Sequence, residues 1–325
     1  EFMECSDKTA ALTHLRRRQT EALPMARAPL WRVGLVREHS QGSLFFWLAL
    51  HHAVGDGQSV GTLLTELTML LEGGGLPSRP EGPGVLALRE QAYLASEDAT
   101  SDAHYWESML DQIPSTAFDE WPLDRARSLQ APTGNHRFAV AFTAQTAEAL
   151  KALARSHATS IHALMLTLLA LEVRRRTDRT DVLIGTTASI RESIADMRIV
   201  GFGVNMLPLH LSVAPGSCFG ELLRATQERL AQALAHARYP FAHIYRTFWR
   251  QRPELRHPQR YPLFDIAITE NPGAGNGAVP LRFARTISTD ETVSYEYTEA
   301  SPGQDMVLIH EGLENGGLCL QLHLN

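Results

Sequence analysis

An apolar run over residues 44–51 ends directly in the segment His51-His52-Ala53-Val54-Gly55-Asp56-Gly57. The run has the length of a strand, and Phe45, Phe46 and Trp47 add aromatic strand formers. A second run, residues 30–36, precedes it across a polar stretch that contains Gly42, so the pair reads as a hairpin. Apolar residues at successive positions place hydrophobic groups on both faces and predict a sheet covered on both sides. Past the Gly55-Asp56-Gly57 turn, Ser59 is the expected N-cap of a helix over residues 60–71. The chain must therefore carry two histidines out of a strand and into a strand-to-helix turn.

Elsewhere helices alternate with strands. Helices are expected over residues 9–23, up to about 110, 146–157, 161–176 and 219–237. Strands are expected over 138–142, 181–189, 200–211 and 263–269, with a pair at 281–283 and 293–297. Residues 306–311 and 318–324 flank Asn315-Gly316-Gly317, a hairpin signal. Residues 271–280 read as a glycine-rich loop, and Tyr105 and Trp106 as core by helical position. The alternation predicts an α/β class of the two-layer α+β kind. The Pro-rich stretch after residue 112 divides a first lobe (1–115) from a second (135–325) through a crossover at 116–134. Glu1-Phe2-Met3 reads as a cloning remnant without structural meaning.

Charge and composition exclude several classes. A net charge of −6 argues against a phosphate-binding face, since basic residues cluster only at Arg16-Arg17-Arg18 and Arg174-Arg175-Arg176. Cys5, Cys218 and Cys319 are too scattered for a disulfide framework or a zinc cluster. No apolar run approaches the ~20 residues of a membrane span, and no signal-peptide pattern opens the chain, so a cytoplasmic setting is expected.

A histidine four residues before an aspartate at a strand end admits three readings. As a metal site it lacks a third ligand at useful spacing, and no metal is expected there. The others are a structural histidine and an acid–base or electrostatic group acting on an acyl substrate. By composition, His-His-x-x-x-Asp-Gly arises by chance in about 2 of 1,000 such chains, so its position after a strand is informative.

The segment His51 to Ser59 resembles the signature of nonribosomal peptide synthetase condensation domains, members of the chloramphenicol-acetyltransferase-like acyltransferases. Further stretches are similar in order and spacing: Ala28-Pro29-Leu30-Trp31-Arg32-Val33, His104-Tyr105-Trp106 and Trp121-Pro122-Leu123-Asp124-Arg125. So are Asp181-Val182-Leu183-Ile184-Gly185 leading to Arg191, the strand Val200 to Leu209 with Asn205, Tyr239-Pro240-Phe241, and Pro262-Leu263-Phe264-Asp265. The resemblance runs from about residue 10 to the end. The family's N-terminal Gln-x-Arg-x-Trp and Arg-His-x-x-Leu-Arg segments have no counterpart, so the first lobe is expected to be incomplete here, its remaining residues lying outside this sequence. Asn205-Met206-Leu207-Pro208 leans toward starter-type and siderophore-type members.

The resemblance implies two acyltransferase-like lobes in a V with a tunnel along their interface. It implies amide formation between a carrier-bound acyl or peptidyl thioester and an amine. Substrates arrive on the phosphopantetheine arms of donor and acceptor carrier proteins, so the domain, a monomer beside an adenylation domain, needs no cofactor of its own. His52 is the candidate catalytic group, and Gly57 the candidate backbone donor, able to take positive φ or to face a developing oxyanion. Adjacent strand residues face opposite ways, which assigns His51 to structure. Asp56 is expected to shape the turn by pairing with Arg191. Asn205 and Ser59 are candidates for the cleft lining. The alternatives are an ester-forming or free-acceptor acyltransferase of the same superfamily, and a catalytically silent recruitment domain.

Overall fold

The computed structural model describes residues 1–118, 136–256, 260–271, 304–313 and 315–324. Among these, one compact unit takes Glu1–Pro83 with Ser193–Gly203, and a second takes the rest.

Unit 1 comprises β1 (Phe2–Cys5), α1 (Lys8–Thr20), β2 (Trp31–Glu38), β3 (Leu44–Leu50) and α2 (Gly57–Leu71). The expected hairpin is present: β2 and β3 pair antiparallel, Gly34 opposite Trp47. Residues 1–5 are structural after all, because β1 adds to β2 in parallel register. One face of this sheet packs on α1 through Cys5, Ala11, Leu15, Val36 and Trp47. The indole of Trp47 lies over Gly34, where an added Cβ would meet its Nε1 at 2.5 Å. On the opposite face Phe2, Leu35 and Leu44 are exposed, so among the described residues the sheet is covered on one side.

Unit 2 comprises α3 (Gly84–Leu94), α4 (Glu97–Asp111), β4 (His136–Phe142), α5 (Ala144–Ser156), α6 (Ile161–Thr177) and β5 (Asp181–Ser189). It continues with β6 (Val204–Ser212), α7 (Phe219–Ala235), α8 (Phe241–Gln251), β7 (Ile266–Glu270), β8 (Met306–Gly312) and β9 (Leu318–Leu324). Its six strands run in the order β4-β9-β8-β7-β5-β6. β5–β7 and β7–β8 are parallel, and the remaining pairs antiparallel. α6 is apolar around most of its circumference because Ala163 to Thr167, Leu169, Ala170 and Val173 are all buried. Gly185 in β5 accommodates Phe264, whose Cε2 would stand 2.1 Å from an added Cβ. The mixed α/β class with two sheets is the expected one.

Several boundaries differ. The units do not part at 115–135: α3 and α4 belong to unit 2, where Trp106, Leu110 and Ile113 enter the main core. Trp106 Nε1 donates to the His236 carbonyl at 3.2 Å, and Ser96 caps α4 and so splits the expected single helix. β6 starts at Val204 rather than residue 200, because residues 200–203 run with unit 1. β7 starts after Leu263, whose φ of 73° interrupts extended backbone. α8 was not expected, although Phe241, Ile244 and Phe248 form a helical stripe that is buried. Most of the expected crossover with its Trp121 to Arg125 motif, the loop beyond Asn271 and the pair 281–283 and 293–297 lie outside the described residues. Among the described residues no single helix is long and apolar enough to cross a membrane.

Candidate functional site

β3 ends at Leu50, so neither histidine lies on the strand. The His51 N–H donates to the Leu30 carbonyl at 2.9 Å, closing the ladder. His52–Val54 then form a 3-10 turn, with Val54 N–H on the His51 carbonyl at 3.0 Å. Strand alternation therefore does not separate the two imidazoles. What separates them is bonding: His51 Nδ1 accepts from the Ala53 N–H at 3.0 Å and caps the turn. His52 is exposed, and its ring meets Phe202 in a T-shaped arrangement, with centroids 5.4 Å apart and planes at 72°.

Gly55 follows in extended conformation, and an added Cβ would meet Leu50 Cδ2 at 2.3 Å. That close approach turns the chain into α2. The N-cap is Asp56 rather than Ser59, and α2 starts earlier than expected, at Gly57. Asp56 Oδ1 accepts from the Ser59 N–H at 2.9 Å, and Oδ2 from the Gly203 N–H at 2.9 Å. The carboxylate is buried, so these donors hold it as an anchor between the helix start and residues 193–203. Gly57 is the first helical residue and does not take positive φ. An added Cβ there meets nothing within 4 Å, and a first-position amide has no intrahelical carbonyl to bond.

Ser59 is fully buried and does not line a cleft. Its Oγ accepts from the Gly201 N–H at 3.0 Å and lies 2.9 Å from both Asp56 Oδ1 and the Gly201 carbonyl. Gln58 Nε2 and Thr62 Oγ1 both donate to the Met197 carbonyl, at 3.0 and 3.3 Å. Arg198 pairs with Glu66 at 3.3 Å and donates to the Ser78 carbonyl at 2.8 Å. The segment Ser193–Gly203 is thus stitched along α2, and it brings Phe202 to His52. Sequence reasoning missed this partner; the one signal was Gly201-Phe202-Gly203, two glycines inside an expected strand.

The other two expected site residues lie in unit 2. Arg191 is buried just past β5, and its N–H donates to Ser189 Oγ at 3.2 Å. Asn205 does not offer its amide to a cleft, because all of it is engaged. Nδ2 donates to the Ala237 and Tyr239 carbonyls at 2.8 Å each, and Oδ1 accepts from the Met206 and Phe241 N–H groups at 3.0 Å each. It clamps β6 to the turn between α7 and α8, joining two of the motifs that carried the resemblance. The perturbed titrations in unit 2 lie elsewhere. Burial pushes His162 down to about 4 and, with the neighbouring His162, His310 down to about 3. Burial, then the Asp102 carboxylate, raises Tyr93 far above the usual phenol range.

The sequence model of the condensation domain family matches residues 2–300. Phosphinothricin tripeptide synthetase PhsC of Streptomyces viridochromogenes is 28% identical over 284 residues, covering 84% of this chain and 25% of its own length. The chain spans a quarter or less of the curated relatives it matches. Among solved structures, the condensation domain of the Monacolin K polyketide synthase MokA superposes with a TM-score of 0.79 at 21% identity, covering all of this chain and 73% of its own. The four-domain nonribosomal peptide synthetase AB3403 superposes at 0.81 and 17% identity, over all of this chain and 25% of its own.

Proposed function

The chain belongs to the condensation-domain family, and from that premise we propose that it forms an amide between a carrier-bound acyl or peptidyl thioester and an amine acceptor. The observation that carries this reading is the placement of His52: exposed, on a short turn, four residues before the buried Asp56 carboxylate that caps α2 at Gly57. The amine nitrogen attacks the thioester carbonyl carbon, the carbon–sulfur bond breaks, and the thiolate leaves with a proton. A free α-amine has a pKa near ~8, so about a tenth is neutral at pH 7 and no strong base is needed. An imidazole nitrogen of His52 takes the proton or hydrogen bond of the attacking amine. The Gly57 N–H, at a helix N-terminus, is assigned to the developing oxyanion, and the open space at its α-carbon supports close approach of an acyl group. His51, Asp56 and Arg191 are assigned to shaping the turn. Donor and acceptor arrive on the phosphopantetheine arms of upstream and downstream carrier proteins, with an adenylation domain as neighbour, so this reaction calls for no bound cofactor.

The test loads donor and acceptor carriers, adds the protein or its His52→Ala variant, and reads the product by intact mass. The expected result is an amide whose rate falls about 10²-fold or more in the variant. Full activity in His52→Ala sinks the role given to His52. An ester as sole product favours the ester-forming reading, and no product with any acceptor favours a recruitment domain.

A further inference from the structure

Unit 2 holds a second cluster of imidazoles that the proposed reaction does not use. His162 lies in the first turn of α6, His310 in β8, and Glu270 ends β7. In the parallel register of β7 on β8, Glu270 stands opposite His310, and on β5 Thr186 stands opposite Ile268. Side chains alternate along a strand, so Thr186, Glu270 and His310 share the sheet face that the start of α6 approaches. His162 Nδ1 is 2.7 Å from His310 Nε2, and His162 Nε2 is 2.7 Å from Thr186 Oγ1. One donor atom each from His162, Glu270 and His310 lies within 4.8 Å of the others.

We infer that His162, His310 and Glu270 form a binding site for a divalent transition-metal ion, zinc being the ion of best fit. Two imidazole nitrogens and one carboxylate oxygen suit a borderline tetrahedral cation, whereas calcium and magnesium take mostly oxygen ligands. Zinc at ~2.0–2.1 Å from each nitrogen sets the two about 3.3 Å apart at the tetrahedral angle, so the rings part by roughly 0.6 Å. Thr186 supplies the outer support such sites use. Its Oγ1 takes the proton of His162 Nε2, which turns the Nδ1 lone pair toward His310. Glu270 is exposed while His310 is buried, so the ion enters from the carboxylate side and keeps water in the fourth position. The ion would brace the start of α6 against β7 and β8. This revises the expectation of a chain without metal, which rested on the His52 segment, the scattered cysteines and the chemistry the resemblance implies.

The test titrates chelator-stripped full chain with Co(II). A visible ligand-field spectrum saturating at one equivalent, and erased by one equivalent of Zn(II), is expected. Glu270→Gln, an exposed substitution, should weaken binding at least ~10-fold, and His162→Gln should remove the spectrum. Thermal melts verify that each variant is folded; if His162→Gln is not, Glu270→Gln decides alone. No one-equivalent spectrum, or a spectrum unchanged in a folded variant, overturns the assignment.

Discussion

At the scale of single residues, two polar side chains do more than their local sequence announces. Asp56 starts a helix and at the same time collects the Gly203 amide, 147 positions away. Asn205 uses both donors and both acceptances on backbone groups, three of them more than 30 positions distant. Its replacement leaves two carbonyls and a helix-start amide without their partners, and each buried loss costs about 1–3 kcal/mol. Asn205→Ala should therefore lower the urea midpoint by the equivalent of about 2–4 kcal/mol with the slope unchanged. Asn205→Asp should cost at least as much, since a carboxylate oxygen would face two carbonyls. Equal midpoints for parent and variants would remove the clamp from the account.

At the scale of elements, α6 shows how a helix end is held electrostatically. Glu172 Oε2 accepts from Arg175 Nε at 2.7 Å, and Oε1 from Arg176 Nε at 2.5 Å. The hydrogen bond from Arg175, then that from Arg176, draws the Glu172 carboxyl down to about 2. A carboxyl lowered on folding stabilises fully above its unfolded pKa of about 4.5, and that contribution is lost as pH falls from there toward 2. The side chains are 40% to 68% exposed, so solvent and salt reduce the effect to about 0.3–0.5 kcal/mol per pair. Glu172→Gln should be slightly less stable than the parent at pH 7, with the gap closing by pH 2–3. A gap that does not depend on pH would assign the effect to helix propensity instead. The same helix was easy to read in sequence because its apolar run has one continuous cause, burial. α8 carries an equally readable stripe in Phe241, Ile244 and Phe248, which begins inside the Tyr239-Pro240-Phe241 motif.

At the scale of the whole molecule, the two units differ in how much apolar surface they bury. Among the described residues, the cluster between the sheet and α1 of unit 1 has five buried residues, Trp47 the largest, while unit 2 gathers a continuous core running from Trp106 to Leu318. Local opening tracks buried apolar contact, so amides of β2 and β3 should exchange with deuterium faster than those of β5 and β7. Equal protection in both sheets would show that unit 1 is held by something other than its own core.

What the sequence determined by itself was local and chemical: the α/β class, most helices and strands to within a few residues, and the seven-residue turn that presents His52. Those signals are legible because a helix repeats over three or four residues and a strand over two, so neighbours in sequence share one environment. Only the tertiary structure decided that His51 caps a turn, that Ser59 is buried, that Asn205 is a clamp and that Phe202 meets His52. It alone placed His162 beside His310, 148 positions apart. Such pairings depend on the path of the whole chain through the sheet, and no periodicity in the sequence encodes that path.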